Sequence, residues 1–443
     1  MAQIALVVLD TLRKDVFDEQ FSWLPGKRFE NAWSTSHWTV PAHASLFTGK
    51  YASDIGVHAR SHHLDCDDPT LAESLKRQGY RTTAFSANGH IVPYFDFDRG
   101  FDEFVQYGRA DRNEDDLFPW SEYLSSTNLP TPLSGFGAFW HSIIGAYDTR
   151  QSFAKLRWGL QQKYPSLLGV GATSVTGAHE FVRDMEFSDD EFLFLNLMEV
   201  HAPYLSPRKY HSERYSSDDV MLSWRETFSN NDDGDYETVR QAYTDSARYL
   251  SNEYHKLFDE LSSFDYVVTL SDHGEMFGED GIVEHCYGVS PELTHIPLVV
   301  SGQTIDDETV TAPVSIIDVH RTVLDAASVD SISNGQSLLG DFESRDCLTE
   351  YHGFTHKDRL ESLRAKEIDP ETITAYDEPR YGLVRGSSYI YETFDDIIVN
   401  GDSDETELRA ALMDARESAN PPKYEDNDIE DDVHSRLEKL GYV

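Results

Sequence analysis

Tyr266-Val267-Val268-Thr269-Leu270-Ser271-Asp272-His273-Gly274-Glu275 runs from strand-forming residues straight into an acid, an imidazole, a glycine and a second acid. An apolar run of this kind reads as a strand buried on both faces. In sheets of such strands, ligands bind outside the carboxyl ends. A carboxylate and an imidazole at that place can share one divalent cation, and Gly274 lets the chain turn sharply around it. The pattern recurs: Ile4 to Leu9 is a second apolar strand ending at Asp10, and Phe192 to Met198 a third, just before Glu199 and His201. Asp10, His201, Asp272 and His273 therefore all fall at strand carboxyl ends.

Helical stretches alternate with these strands. Leu71 to Gly79 reads as a short helix with a glycine stop, leading into a strand from Tyr80 to Ser86. Leu250, Tyr254, Leu257 and Leu261 recur at helical spacing before the Tyr266 strand; Ile296 to Val300 is a further strand and Val314 to Ala327 a helix. The expectation is an α/β fold: a large mixed, mostly parallel sheet sandwiched by helices, with a smaller C-terminal α+β subdomain. Residues 1–340 form the expected main domain, with 105–186 as a helical insertion or lid. Residues 341–443 form the subdomain, built around a strand from Ser388 to Phe394 and ending in an acidic tail.

Composition bounds the partners. The 443 residues hold 37 Lys and Arg against 79 Asp and Glu, a formal net charge of −42. A phosphate backbone demands a basic surface, so nucleic acid is excluded, and an anionic membrane face is disfavoured for the same reason. Such self-repulsion is screened in concentrated salt, pointing to a halophilic cytoplasm. Three widely spaced cysteines make neither a disulfide framework nor a thiolate metal site. No run is long and apolar enough to span a membrane, so the expected location is cytoplasmic; the oligomeric state is left open.

A second segment carries chemistry: Thr39-Val40-Pro41-Ala42-His43-Ala44-Ser45-Leu46-Phe47-Thr48-Gly49. Pro41 near its start and Gly49 at its end fit a short helix. Thr39 then sits at the N-terminus, where backbone N–H groups and the dipole favour an anion. A hydroxyl there, bound to a metal, loses its proton more readily and becomes a nucleophile. Taken singly, Thr39 also reads as a helix cap, Asp272 as a strand-end turn and His43 as a helix-surface histidine.

Many short motifs in order resolve the choice. Val8-Leu9-Asp10-Thr11, the Thr39 to Gly49 segment, Thr70-Leu71-Ala72-Glu73, Gly100-Phe101-Asp102, His201-Ala202-Pro203-Tyr204, Asp272-His273-Gly274-Glu275 and His295-Ile296-Pro297-Leu298 together resemble the sulfatase family of the alkaline-phosphatase superfamily, in a haloarchaeal-type form with a threonine nucleophile. The resemblance covers roughly residues 1–340. It implies a covalent ester on Thr39, with Asp10, Asp272, His273 and Thr39 around one divalent cation, and His201 and His285 as base or leaving-group acid. It places His43, Asn88 and His90 at substrate-binding positions. Oxygen-rich ligation with one imidazole suits Mn²⁺, Mg²⁺ or Ca²⁺, and Zn²⁺ is compatible.

The departures bear on the substrate. Sulfatases carry Cys or Ser in C/S-x-P-S-R, converted to formylglycine, which Thr39 cannot become. The motif's Arg is His43, its Ser is Ala42, the second Asp of the N-terminal pair is Thr11, and the Lys of the family's G-K-W-H segment is Asn88, with His90 matching the His. A threonyl sulfate lacks the elimination exit of a formylglycine hydrate, whereas a threonyl phosphate can be attacked by water. The expected function is a metal-dependent hydrolase or transferase of phosphate or sulfate esters, phosphoesters favoured, on a small-molecule or a glycan- or lipid-linked substrate. The alternatives are a true sulfatase without formylglycine and an inactive anion- or glycan-binding relative.

Overall fold

Residues 2–107, 173–228, 236–354 and 357–419, apart from positions 60, 217 and 367, are described by a computed structural model. Most of the expected insertion and the acidic tail after position 419 lie outside them.

The chain's apolar runs become the strands β1 (Gln3–Leu9), β2 (Lys27–Phe29), β3 (Ala32–Trp33), β4 (Arg81–Ser86), β5 (Glu103–Gln106), β6 (Glu191–Leu197), β7 (Tyr266–Leu270), β8 (His295–Ile296), β9 (Leu298–Gly302), β10 (Glu308–Val310) and β11 (Val314–Ser315). Eight of them form one sheet in the order β10-β2-β9-β7-β1-β6-β4-β5. Only β9 runs against the others, through its antiparallel pairings with β2 and β7. The central strand β1 shows why its sequence is apolar without alternation. Ile4, Leu6 and Val8 enter one core with the Thr39–Thr48 and Ile316–Ala326 helices. Ala5, Val7 and Leu9 enter a second core with the Glu237–Leu261 and Ser174–Asp184 helices. Both faces are covered, so both parities must be hydrophobic.

Two elements differ from the sequence expectation. The single strand expected over Ile296 to Val300 is divided at Pro297, which has no N–H to give a ladder. His295 and Ile296 pair with β3 in a small three-stranded sheet, and Leu298 onward pairs with β7. The helix expected from Val314 starts at Ile316, because Ser315 and Asp318 form a capping box there.

The C-terminal strands β12 (Cys347–Tyr351), β13 (Arg380–Arg385), β14 (Ser388–Glu392) and β15 (Ile397–Asn400) make a four-stranded antiparallel sheet. The Glu405–Ser418 helix packs Leu408 and Leu412 on one face, beside Tyr381, Leu383 and Ile390. The other face packs Tyr351, Val384 and Tyr389 against Trp33, Met276 and Tyr287. A bridge between Ser36 and Glu350 ties this sheet to the segment leading into Thr39. Among the described residues no helix is long and apolar enough to cross a membrane.

Candidate active site

Register builds the site. Val8 lies beside Leu270 in the parallel β1–β7 pairing, so two residues further along both strands Asp10 and Asp272 leave the sheet side by side. Asn196 on β6 is level with Val8 and with Ser86, which aims it at the same end. Asp10, Asp272 and His273 each offer a ligand atom, and these atoms all lie within 4.8 Å of one another, every residue buried.

The Thr39–Thr48 helix brings the hydroxyl to this cluster. All ten of its residues are buried, and its last turn closes through Gly49 at φ 66°, a left-handed conformation natural to glycine. Thr39 is its first residue and does not cap it; its Oγ1 lies 3.2 Å from His273 Nε2. Asn88 Nδ2 donates to Asp10 Oδ2 at 2.8 Å and reaches Thr39 Oγ1 at 3.4 Å, a neutral amide tying acid to alcohol.

Each acid is held by its own donors. Thr11 Oγ1 donates to Asp10 Oδ1 at 2.8 Å. Thr11 has φ 66°, uncommon for a residue with a Cβ. Its N–H, together with that of His273, donates to Asp272 Oδ1. Asp272 Oδ2 is buried with no hydrogen-bond partner. Such an atom calls for an explanation, and a cation is the one its neighbours favour. His273 donates Nδ1–H to the Gly274 carbonyl at 2.9 Å, which leaves the Nε2 lone pair facing the cluster. Gly274 itself has no left-handed φ; a Cβ there would overlap the Glu292 carbonyl oxygen, so close approach is what demands glycine.

Burial and the neighbouring Asp10 charge push Asp272 up to about 7. Burial opposes ionisation of Asp10 too, but His273, His201, His43 and the Thr11 hydrogen bond together lower it. Burial holds His273 below the usual imidazole range. Two acids and one neutral imidazole form a donor set of the type that binds a single hard divalent cation.

The remaining sequence candidates divide. His201 and His285 stand together with ring centroids 5.1 Å apart, and the His285 ring is 4.6 Å from that of His273. The His285 side chain keeps 16% of its exposure, so the site opens on its side. His43 faces inward. It donates Nδ1–H to the Thr39 carbonyl at 3.0 Å and accepts from Asn196 Nδ2 at 3.1 Å, fully buried. His90 packs edge-on to Trp38 and donates its backbone N–H to Asn88 Oδ1.

Several contributors escaped the sequence reading. Asn196, which also donates to Asp10 Oδ2 at 3.3 Å, was signalled by an amide inside the apolar run Phe192 to Leu197. Glu275 contacts His285 at 3.1 Å. Arg359 comes from the Lys357–Ala365 helix, lies over the Trp224 ring at 5.3 Å, and carries a charge felt by His37, His90 and His285. No local motif announced it.

A family model described as Sulfatase matches residues 20–329. Choline-sulfatase of Rhizobium meliloti is 24% identical over 348 residues, 68% of this chain and 60% of the relative. The uncharacterized sulfatase YidJ of Escherichia coli is 23% identical over 356 residues, 74% of this chain and 66% of the relative. The chain thus spans 60 to 66% of the length of these curated relatives. Among solved structures, phosphonate monoester hydrolase of Agrobacterium radiobacter superposes with a TM-score of 0.61 at 16% identity, covering 100% of this chain and 94% of that one, a likeness of fold.

Proposed function

This chain belongs to the sulfatase family, and from that premise we propose that it is a metal-dependent ester hydrolase or transferase, phosphoesters favoured, that works through a covalent intermediate on Thr39. One observation carries the reading: a threonine hydroxyl, with no route to formylglycine, lies 3.2 Å from His273 within the Asp10, Asp272 and His273 group. These three and Thr39 would hold the cation, which when bound favours the Thr39 alkoxide and offsets charge on the non-bridging substrate oxygens.

Thr39 then attacks phosphorus, opposite the leaving oxygen. Asn88 holds Asp10 and Thr39 in register from one amide. His43 and Asn196 act from beneath, fixing the first turn of the helix and so the direction of the Thr39 side chain; both ring nitrogens of His43 are already engaged. His201 or His285 gives the leaving oxygen its proton, and water or an acceptor alcohol then releases the group from Thr39. The substrate is a small-molecule or a glycan- or lipid-linked ester, and the acidic chain works in concentrated salt.

Turnover of para-nitrophenyl phosphate, bis(para-nitrophenyl) phosphate and para-nitrophenyl sulfate in molar salt with Mn²⁺ tests this reading. We expect kcat/KM for one of the phosphoesters to exceed that for the sulfate by at least about a hundredfold, a ratio set by transition-state discrimination. The opposite preference makes the protein a sulfatase that dispenses with formylglycine. No turnover of any of the three makes it an inactive binding relative.

With His43 turned inward, the anion needs another cationic partner, and Arg359 is a buried guanidinium whose charge bears on His285 at the opening. Arg359→Gln is expected to raise KM about tenfold or more, the range of one charge-assisted hydrogen bond. Lysine should not restore it, because it lacks the planar fork. An unchanged KM in both variants would remove Arg359 from the substrate's surroundings.

A further inference from the structure

The reading above leaves two histidines open as carrier of the leaving-group proton, and their surroundings differ. His285 directs Nδ1 at Glu275, 3.1 Å from Oε1 and 3.3 Å from Oε2. Glu275 is fully buried, and its Oε2 also accepts the Tyr204 hydroxyl at 2.8 Å. Tyr204 is itself wedged edge-on between the rings of Tyr243 and Phe277, at 5.4 and 5.8 Å. The hydroxyl, the carboxylate and the imidazole therefore form a line whose far end is locked by aromatic packing. His201, by contrast, directs Nδ1 at the carbonyl of its own neighbour Ala202, at 2.9 Å. A carbonyl of the adjacent residue can set the tautomer, whereas a carboxylate anchored at its far end also fixes the orientation of the ring.

We propose that Glu275 and Tyr204 are a positioning pair that holds His285 with Nε2 toward the bond being cleaved, so that His285 carries the leaving-group proton and His201 does not. Glu275 is a positioning residue here, since it acts through the imidazole. In the first half-reaction the Thr39 Oγ1–phosphorus bond forms as the bond from phosphorus to the leaving oxygen breaks. The Nε2 proton of His285 passes to that oxygen. In the second half-reaction a water oxygen attacks phosphorus and the Thr39 ester bond breaks. The water's proton returns to His285 Nε2, so ring and alkoxide are both regenerated. This assignment rests on the ester-cleaving reading above. It adds a function for the acid of the Asp272-His273-Gly274-Glu275 segment that cation binding leaves unused, since the three-residue donor group does not include Glu275.

Leaving-group dependence separates a proton carrier from a scaffold. A nitrophenolate departs without a proton, whereas an alkoxide does not. In the full-length Mn²⁺-loaded protein, Glu275→Gln should lower kcat for a methyl para-nitrophenyl phosphate diester by only a few fold. It should lower kcat for a dialkyl diester by about a hundredfold or more, the lower range of general-acid contributions, with KM little changed. Glu275→Asp, which keeps the charge, should recover part of the loss, and Tyr204→Phe should show a weaker form of the same pattern. His201→Gln should slow both substrates alike. Equal losses on both substrates in Glu275→Gln, or a leaving-group effect confined to His201→Gln, would overturn the proposal.

A second measurement needs no turnover. In protein labelled with ¹⁵N-histidine, the signals lost in His285→Gln identify that ring. The expected ring has Nδ1 protonated, whether or not Nε2 also holds a proton, and its signals change in Glu275→Gln. A ring protonated on Nε2 alone, indifferent to position 275, would refute the positioning role. If the wild-type protein cleaves no ester, the functional reading and the proton-carrier role fall, while this tautomer result still decides whether Glu275 positions the ring.

Discussion

Thr39→Ala is expected to lower turnover of a phosphoester by about ten-thousandfold or more, the scale on which an enzyme loses a nucleophile that works as a unit with its base and electrophile. The size follows from the surroundings. Thr39 Oγ1 accepts from Asn88 Nδ2 and turns its hydroxyl toward the lone pair of His273 Nε2. Removing it leaves the anion site and the acids in place but nothing to form the ester. Because the side chain does not cap its helix, alanine should fold as well as threonine. Thr39→Ser keeps the hydroxyl and should stay within about tenfold of wild type, losing the rotamer restriction of a β-branched side chain. Stabilisation by Mn²⁺ in a thermal melt should persist in both variants. A Thr39→Ala protein with a tenth or more of wild-type turnover would end the covalent reading.

The second large effect concerns the cation. Asp272→Asn is expected to abolish the rise in Tm on adding Mn²⁺ and to reduce turnover by about a thousandfold or more, since the charge offset at the reacting oxygens is worth several kcal/mol. The substitution is nearly isosteric. Its carbonyl can take the place of Oδ1, which accepts from the N–H groups of Thr11 and His273, while an amide NH₂ takes the place of the unpartnered Oδ2. The fold should therefore survive and only the affinity for the cation fall. At a ligand concentration a hundredfold above Kd, binding stabilises the native state by about 2.7 kcal/mol, so its loss is readable in a melt. An unchanged Mn²⁺-dependent Tm in Asp272→Asn would show that the cation binds elsewhere.

Much of the candidate site was legible before any coordinates, as the grouping of Asp10, Asp272 and His273 shows. Asp10, Asp272 and His273 stand directly after apolar runs, and a strand buried on both faces announces itself residue by residue. Thr39 was legible through its place before Pro41 and ahead of Gly49, signals that belong to one short helix. His43 was not. Its position four residues after Thr39 fits a group reaching substrate, yet packing turns its ring inward onto the Thr39 carbonyl and Asn196. The division of one expected strand at Pro297 shows the same limit, because the missing N–H matters only once the neighbouring strands are known.

Local chemistry thus determined the strand ends, the Thr39 helix and the type of ligand offered, since hydrophobic periodicity and donor atoms are properties of neighbouring residues. Which groups meet was decided by tertiary structure alone. Parallel register sets Asp10 beside Asp272, the loop after β7 turns Glu275 to His285, and a helix late in the chain sets Arg359 over Trp224, where its charge bears on His285. Partners separated by tens to hundreds of positions are selected by packing over the whole sheet, and no window of sequence contains that information.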